Sequence, residues 1–260
     1  MTAPGDASVR TARDGAVLTV TLDRPDRLNS QTPATWAALA EIGRTLDDGV
    51  RVVVLRGEGR SFSAGLDRSL FSTDPDVGGG LGEIANMPED LAQERIRRYQ
   101  AGFRWLRSPS VVSVAAVQGH AIGAGAQLAL ACDLRVMADD AQLRLPEATL
   151  GLVPDLTGTS TLVEAVGYPR ALEIALTGRA VGAREAQAIG LATAVVPVAE
   201  LDAAVADLVA ALLAPDAGAS RATAELIRSA VHNSREDQDE AERTAQVRRV
   251  AALAARSREG

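Results

Sequence analysis

In the first part of the chain, apolar residues alternate with polar ones, as in a strand, and then recur at helical spacing. Residues 16–22 alternate and are rich in β-branched side chains, which predicts a strand. Thr32 and Pro33 are a favourable cap and first residue for a helix, and Trp36, Leu39, Ile42 and Leu46 follow at helical spacing up to a stop at Gly49. The apolar run 51–55 is typical of a buried parallel strand. These residues predict a strand–helix–strand unit.

The same alternation of periods recurs further along the chain. A helix carrying Ile96, Tyr99, Phe103 and Leu106 precedes a buried strand at 111–117, a Gly/Ala-rich helix follows up to about 132, and residues 134–138 resume an extended run. Residues 69–88, with three consecutive glycines, are predicted to form a long loop. Repeated units of this kind predict a parallel, layered α/β core that binds ligands where strands lead into helices.

The pattern changes after Pro197. Leu201, Val205, Leu208 and Leu212 predict an amphipathic helix, residues 215–220 a linker, and the remainder two further helices. We therefore divide the chain into an α/β core at 1–197, which would hold the ligand site, and a helical region at 198–260.

Composition and charge exclude several classes of function. A net charge of -7 without a basic stripe argues against nucleic acid as a partner. The single Cys132 excludes an internal disulfide, and it forms no metal-ligand spacing with the two histidines, His120 and His232. No segment has the features of a signal peptide or the length of a membrane span, so a cytoplasmic location is expected.

All 27 basic residues are arginines, because the chain contains no lysine. This excludes mechanisms that need a lysine amine, such as Schiff-base chemistry and the phosphate-binding lysine of P-loops. A bound phosphate must therefore be held by arginine side chains or backbone N–H groups.

Two segments rich in small residues are the remaining candidates for chemistry. Gly123 and Gly125 lack the third glycine of a dinucleotide-binding fingerprint, since Leu128 stands at that position. Residues 59–63 lack the last glycine of a hydrolase nucleophile turn. Residues 63–67 and 123–125 could instead present backbone N–H groups to an anionic oxygen. The alternative is that these glycines serve only tight packing of helix on strand.

Taken together, these stretches resemble the crotonase superfamily, the enoyl-CoA hydratase/isomerase group. The resemblance covers residues from about 16 to 198 and is carried by LDRPDRLNS, RVVVLRGEGRSFSAGLD, SVAAVQGHAIGAGAQLALACDLRVMADDAQLRLPEATLGLVPDLTGT and LTGRAVGAREAQAIGLATAVVP. It implies a crotonase-like spiral of βαβ units with a helical C-terminal region that helps to form homotrimers or hexamers. It also implies an acyl-CoA thioester substrate and no separate cofactor, since coenzyme A is part of the substrate.

The resemblance assigns roles to individual residues. The backbone N–H groups of Leu66 and Ala124 would form an oxyanion hole for the thioester oxygen. Of the two glutamates of a typical family hydratase, the second corresponds to Glu147 and the first is replaced by Gln127, which cannot exchange a proton at neutral pH. Asp155 aligns with an acid used by some double-bond isomerases of the family; the alternative for Asp155 is a turn or helix cap.

The leading hypothesis is an isomerase in which Glu147, alone or with Asp155, moves a proton between carbons of an enoyl-CoA. One alternative is a hydratase that uses Glu147 while Gln127 orients water. Another is an acyl-CoA binding protein without catalysis. Further contacts to the substrate are expected from Arg24, Arg27, Ala64, Asp67, Arg68, Gly123, Gln127 and Pro146, and no bound metal is expected.

Overall fold

The structure is a computed structural model that describes residues 8–74 and 76–259. The strands are β1 (Val9–Asp14), β2 (Val17–Leu22), β3 (Val52–Gly57), β4 (Val112–Val117), β5 (His120–Ile122), β6 (Leu134–Ala138), β7 (Gln142–Arg144), β8 (Ala180–Gly182) and β9 (Ala194–Val196). The α-helices are α1 (Pro33–Arg44), α2 (Leu81–Ala85), α3 (Glu89–Arg104), α4 (Ala124–Ala131), α5 (Gly158–Val166), α6 (Tyr168–Thr177), α7 (Ala183–Ala188), α8 (Leu201–Leu213), α9 (Ala217–Ser229) and α10 (Arg235–Glu259).

The larger sheet has six strands in the order β1-β2-β3-β4-β6-β9. β1 is antiparallel to β2, and each later neighbour is parallel, with Val20 opposite Leu55 and Leu55 opposite Ala115. Helix α1 connects the parallel strands β2 and β3 and begins as predicted, with Thr32 as its cap and proline in its first turn. The predicted α/β core of parallel strand–helix–strand units is confirmed.

Alternate residues of the central strands pack on opposite faces of this sheet. In β3, Val53 and Leu55 belong to the main core together with residues of α1, α3 and α4. Val52 and Val54 belong to a second core, which α8 closes with Leu201, Val205 and Val209. Because both faces are covered, the central strands are mostly apolar rather than alternating, as expected for a buried parallel sheet.

A smaller sheet of three short strands, in the order β5-β7-β8, positions the candidate site. β5 is parallel to β7 and β7 is antiparallel to β8. These strands were not predicted from the sequence. His120, for example, lies in β5. Each spans only three residues, which is too short for an alternating pattern to show.

Three predictions of local structure were wrong. Helix α1 ends at Arg44, before the predicted stop at Gly49. The predicted loop at 69–88 contains α2. The predicted linker at 215–220 contains the start of α9, because the Asp216 side chain accepts a hydrogen bond from Ala219 N at 2.9 Å and thereby caps a helix.

Ion pairs fasten the C-terminal helices to the core and to each other. Arg228 of α9 donates through Nη2 to Asp133 Oδ2 and to the Val111 carbonyl, at 2.9 and 2.8 Å. Asp216, which precedes α9, pairs with Arg249 and Arg256 of α10. The predicted division at residue 197 and the predicted trimer or hexamer stay predictions.

In the part of the chain that the structure describes, no helix has the length and apolar character needed to cross a membrane. The cytoplasmic location stays a prediction.

Replacing Arg228 should loosen the C-terminal helices. Asp133 also accepts a hydrogen bond from Ser113 N at 2.9 Å, so Arg228→Met would leave a largely buried carboxylate without its cation. We expect a loss of about 2 kcal/mol in the free energy of unfolding, measured by urea denaturation. Arg221→Met on the exposed face of the same helix is the matched control and should change little; equal losses in both variants would contradict a specific role for the ion pair.

Candidate active site

Two backbone segments meet at the edge of the small sheet. Ser63 N donates to the His120 carbonyl at 2.8 Å, and Ile122 N donates to the Ser63 carbonyl at 3.0 Å. The segment after β3 therefore pairs with β5 as a parallel bridge between Ser63 and Ala121. This pairing places residues 63–67 beside residues 121–125, the two segments that the sequence singles out.

Glycines are needed where these segments touch. A Cβ atom on Gly65, which has a φ of +86°, would lie 2.4 Å from the Ile122 carbonyl oxygen and 3.4 Å from Ala124 N. A Cβ atom on Gly125 would lie 2.5 Å from the Ser63 carbonyl oxygen. Both distances to oxygen are too short for any side chain, so the small residues allow close approach of backbone to backbone.

Where the two segments meet, each carries one backbone N–H group that is free to donate a hydrogen bond to a ligand. Leu66 N has no hydrogen-bond acceptor among the described residues, whereas Gln31 N donates to the Gly65 carbonyl and Asp67 N to the Gln31 carbonyl. Ala124 N belongs to the first residue of α4, so it has no acceptor within the helix. Two such donors at a helix N-terminus favour binding of an anionic oxygen.

A buried polar network supports the first segment. The Ser63 hydroxyl accepts from Gly65 N at 3.2 Å and from Gln31 Nε2 at 3.0 Å, and donates to the Asn29 carbonyl at 2.8 Å. Gln31 Oε1 in turn accepts from Trp36 Nε1 at 2.8 Å. We did not predict these residues, although the two amides in the stretch LNSQT, between β2 and α1, were a possible signal.

Glu147 is the buried carboxylate of the site. It begins a short helical turn, Glu147–Leu150, directly after Pro146, and only 8% of its surface is exposed. Its Oε1 accepts from Gln127 Nε2 at 2.8 Å, while its Oε2 is buried without a hydrogen-bond partner among the described residues. Burial raises the pKa of Glu147, the Gln127 hydrogen bond opposes the shift, and the charge of Asp155 adds to it.

Asp155 lies close enough to act on Glu147 electrostatically, and burial raises its own pKa. It does not cap a helix, because α5 begins at Gly158 and the residue at the cap is Thr157. The Asp155 carbonyl accepts from Gln100 Nε2 of α3 at 2.7 Å, which fixes the backbone there. The structure thus brings Glu147, Asp155 and Gln127 together.

The arginines expected to contact substrate have different surroundings. Arg24 donates through Nη2 to Asp67 Oδ2 at 3.0 Å and through Nη1 to the Ser30 carbonyl at 2.9 Å. Partial burial would raise the pKa of Asp67, but hydrogen bonds from Ser69, Ser30 and Arg24 lower it to about 2. Arg27 and Arg68 are exposed. Arg24 and Asp67 therefore order the turn that carries Leu66.

The remaining predicted residues lie around the two N–H groups. Ala64 N donates to the Leu28 carbonyl at 2.8 Å, which fixes the segment before Gly65. Gly123 N donates to the Arg144 carbonyl at 2.9 Å, and a Cβ atom on Gly123 would lie 3.6 Å from Glu147 Oε1. The start of α4 and the Glu147 carboxylate therefore face the same space.

Comparison with known proteins identifies the family. A model of the enoyl-CoA hydratase/isomerase family matches residues 12–260. The chain belongs to this family. It is thus an enzyme of the crotonase type, a hydratase or isomerase, and the resemblance drawn from its sequence is confirmed. Among its relatives, a Thermus thermophilus protein named as an enoyl-CoA hydratase is 39% identical over 185 residues, covering 70% of this chain and 69% of the relative. EchA12 of Mycobacterium tuberculosis is 38% identical over 214 residues, covering 80% and 71%.

Solved structures of family members have the same fold. An enoyl-CoA hydratase of Thermobifida fusca, solved in complex with CoA, superimposes with a TM-score of 0.89 at 50% identity and covers 96% of this chain and 95% of its own. The Thermobifida fusca protein was also solved in complex with acetoacetyl-CoA; that structure has a TM-score of 0.89 at 49% identity, covering 95% and 96%. The crotonase-like fold of this chain is thereby confirmed.

The raised pKa of Glu147 has a consequence for stability. From its ordinary pKa of 4.5 up to the raised pKa, the folded state holds a proton that the unfolded state has lost, so stability falls as the pH rises through this range. Glu147→Gln removes this penalty and still offers an oxygen to Gln127. We expect the variant to unfold at a higher temperature than the parent at pH 7 and at the same temperature below about pH 4. A variant less stable at pH 7 would contradict the burial penalty.

Proposed function

We propose that this enzyme moves the double bond of a 3-enoyl-CoA into conjugation with the thioester, with Glu147 as the proton carrier. The observation that carries the proposal is the pairing of two side chains. Glu147 Oε2 has no hydrogen-bond partner among the described residues, and Gln127 has no proton to exchange at neutral pH. Of this pair of side chains, only Glu147 can carry a proton.

The reaction can be written with Glu147 as the only proton carrier. The ionised carboxylate removes a proton from C2, and the electron pair of that C–H bond moves into the C1–C2 bond while negative charge develops on the thioester oxygen. The N–H groups of Leu66 and Ala124 would stabilise this dienolate. Glu147 then returns the proton at C4, the C3–C4 double bond becomes a C2–C3 double bond, and the carboxylate is regenerated. No separate cofactor takes part, because every atom and electron comes from the substrate and Glu147.

The substrate class is supported by the relatives. The Thermobifida fusca structures contain CoA and acetoacetyl-CoA, and the named relatives are enoyl-CoA hydratases. Arg24, Arg27 and Arg68 remain candidates for contacts to the CoA phosphates, with Arg24 engaged by Asp67.

Hydration of a 2-enoyl-CoA is the second candidate. It is favoured by the nearby acid Asp155, whose buried carboxyl could share proton transfer with Glu147 while Gln127 takes no proton. Hydration needs a base for water and an acid for C2, and in this arrangement both tasks would fall to Glu147 and Asp155.

The first experiment separates the two reactions. Purified enzyme is given a trans-3-enoyl-CoA and, separately, a trans-2-enoyl-CoA, and the absorbance of the conjugated thioester is followed with product masses. We expect absorbance to rise with the first substrate and no water to be added to the second. Addition of one water to the second substrate, without isomerisation of the first, would make the enzyme a hydratase.

Glu147→Gln tests the proton carrier. We expect turnover to fall by about a thousandfold, the range for loss of a general acid–base group, while the dissociation constant for the CoA thioester changes little. The affinity measurement is the control for an intact site. Retained turnover would remove Glu147 from the mechanism and leave Asp155 as the carrier.

Gly65→Ala tests the oxyanion hole. A methyl group at this position would push the segment away from the Ile122 carbonyl and from Ala124 N. We expect turnover to fall by about a hundredfold or more, as for loss of one oxyanion donor. Gly182→Ala is the matched control, because its Cβ would meet no atom within 4 Å and its φ of -75° suits alanine. Equal turnover in both variants would contradict the assignment of the two N–H groups.

A further inference from the structure

The amide of Gln127 can take only one orientation in this structure. Its Oε1 accepts hydrogen bonds from Leu156 N at 2.8 Å and from Gly158 N at 3.2 Å. Turning the amide over would place Nε2, which is only a donor, against two other donors. Nε2 must therefore point the other way, where it donates to Glu147 Oε1 at 2.8 Å.

An uncommon backbone conformation places the two N–H groups that donate to Oε1. Thr157, between the two donating residues, has φ 70° and ψ 1°, a left-handed conformation that β-branched residues seldom adopt. A left-handed residue turns the N–H groups on either side of it toward one point and forms a concave site for an oxygen. This strained turn holds Gln127 and thus has a role in the site.

The space around Gln127 is closed. Only 1% of the residue is exposed, and a Cβ atom on Gly158 would lie 2.6 Å from Gln127 Cγ. With its stem enclosed and both ends of its amide hydrogen-bonded, the side chain has no room for another rotamer. Its Oε1 already accepts two hydrogen bonds and its Nε2 already donates one. Among the described residues, only the second N–H of Nε2 is left to contact a water molecule.

We propose that Gln127 is a positioning residue that holds one oxygen of Glu147 and leaves the other, Oε2, to exchange the proton of the substrate. The inference rests on the proposed role of Glu147 as proton carrier. Gln127 donates a hydrogen bond that favours the ionised carboxylate, which is the form that can act as a base. A second carboxyl in its place would compete with Glu147 for the proton.

Two substitutions of Gln127 separate positioning from simple packing. Gln127→Met keeps the approximate length and volume but donates nothing to Glu147. Gln127→Glu keeps an oxygen for Leu156 N and Gly158 N, so its fold should be preserved even if the methionine variant is unstable. In the glutamate variant the two backbone donors hold a carboxylate at 127, and the proton stays on Glu147 to a higher pH.

The readout is the titration of Glu147 itself. Protein labelled with carbon-13 at the glutamate carboxyl carbons is followed by NMR from pH 4 to 9, and the signal that is absent in Glu147→Gln belongs to Glu147. In Gln127→Met we expect its midpoint to move upward by about one pH unit, a tenfold change in the ionisation constant. In Gln127→Glu we expect two coupled steps, one below and one above the parent midpoint.

Gln93→Met is the matched control, because Gln93 is exposed on α3 and donates only to Glu89 at 3.1 Å. It should leave the Glu147 titration unchanged. An unchanged midpoint in both Gln127 variants would overturn the proposal.

Turnover offers a second test. The turnover lost in Gln127→Glu should be recovered as the pH is raised, which a merely structural defect would not show.

The titration also separates this proposal from the proposed function. If the Glu147 midpoint shifts as expected but the 3-enoyl-CoA is not isomerised, the positioning role stands and the reaction assignment fails. If isomerisation is observed but the midpoint does not respond to Gln127, the reaction assignment stands and the positioning role is wrong.

Discussion

The site depends on one close approach of backbone to backbone, between Ser63–Gly65 and the residues that lead into α4. The Ser63 and Ile122 hydrogen bonds define the distance, and Gly65 and Gly125 supply the missing side-chain volume. A side chain at either glycine would collide with the facing backbone and force apart the two segments that carry the Leu66 and Ala124 N–H groups. The small sheet, whose strand β5 pairs with Ser63 and leads into α4, provides the rigidity that this close approach needs.

Much of the fold could be predicted from local pattern, and the reason is the regularity of its central strands. Strands β2, β3, β4 and β6 have five or six residues each, long enough for a clear apolar signal, and Thr32 with Pro33 marks the start of α1. The three strands β5, β7 and β8 carry no such signal, because their pairing is set by contacts over long sequence distances. Asp216 resembled a linker residue but acts as a helix cap.

The sequence could predict the backbone segments of the candidate site but not the contacts that its side chains make. The small residues of the two segments are visible in the sequence, and the family resemblance assigns Leu66, Ala124 and Glu147. What Gln127 binds was not visible, since the two N–H groups that donate to its Oε1 lie 29 and 31 residues away and require Thr157 in a conformation that its side chain disfavours. Nor does a sequence show that Arg24 is already paired with Asp67 and so supports the turn that carries Leu66.

Every ion pair described in this protein uses arginine, as in the pairs of Arg228 with Asp133 and of Arg249 with Asp216. A thioester is an acylating agent, and the side-chain amine that it can acylate is that of lysine, whose charge is lost in the reaction. A guanidinium remains protonated at any physiological pH and is a poor nucleophile. An enzyme of this family that is built with arginine alone therefore offers a CoA thioester no lysine amine to modify, and the cations of its ion pairs keep their charge.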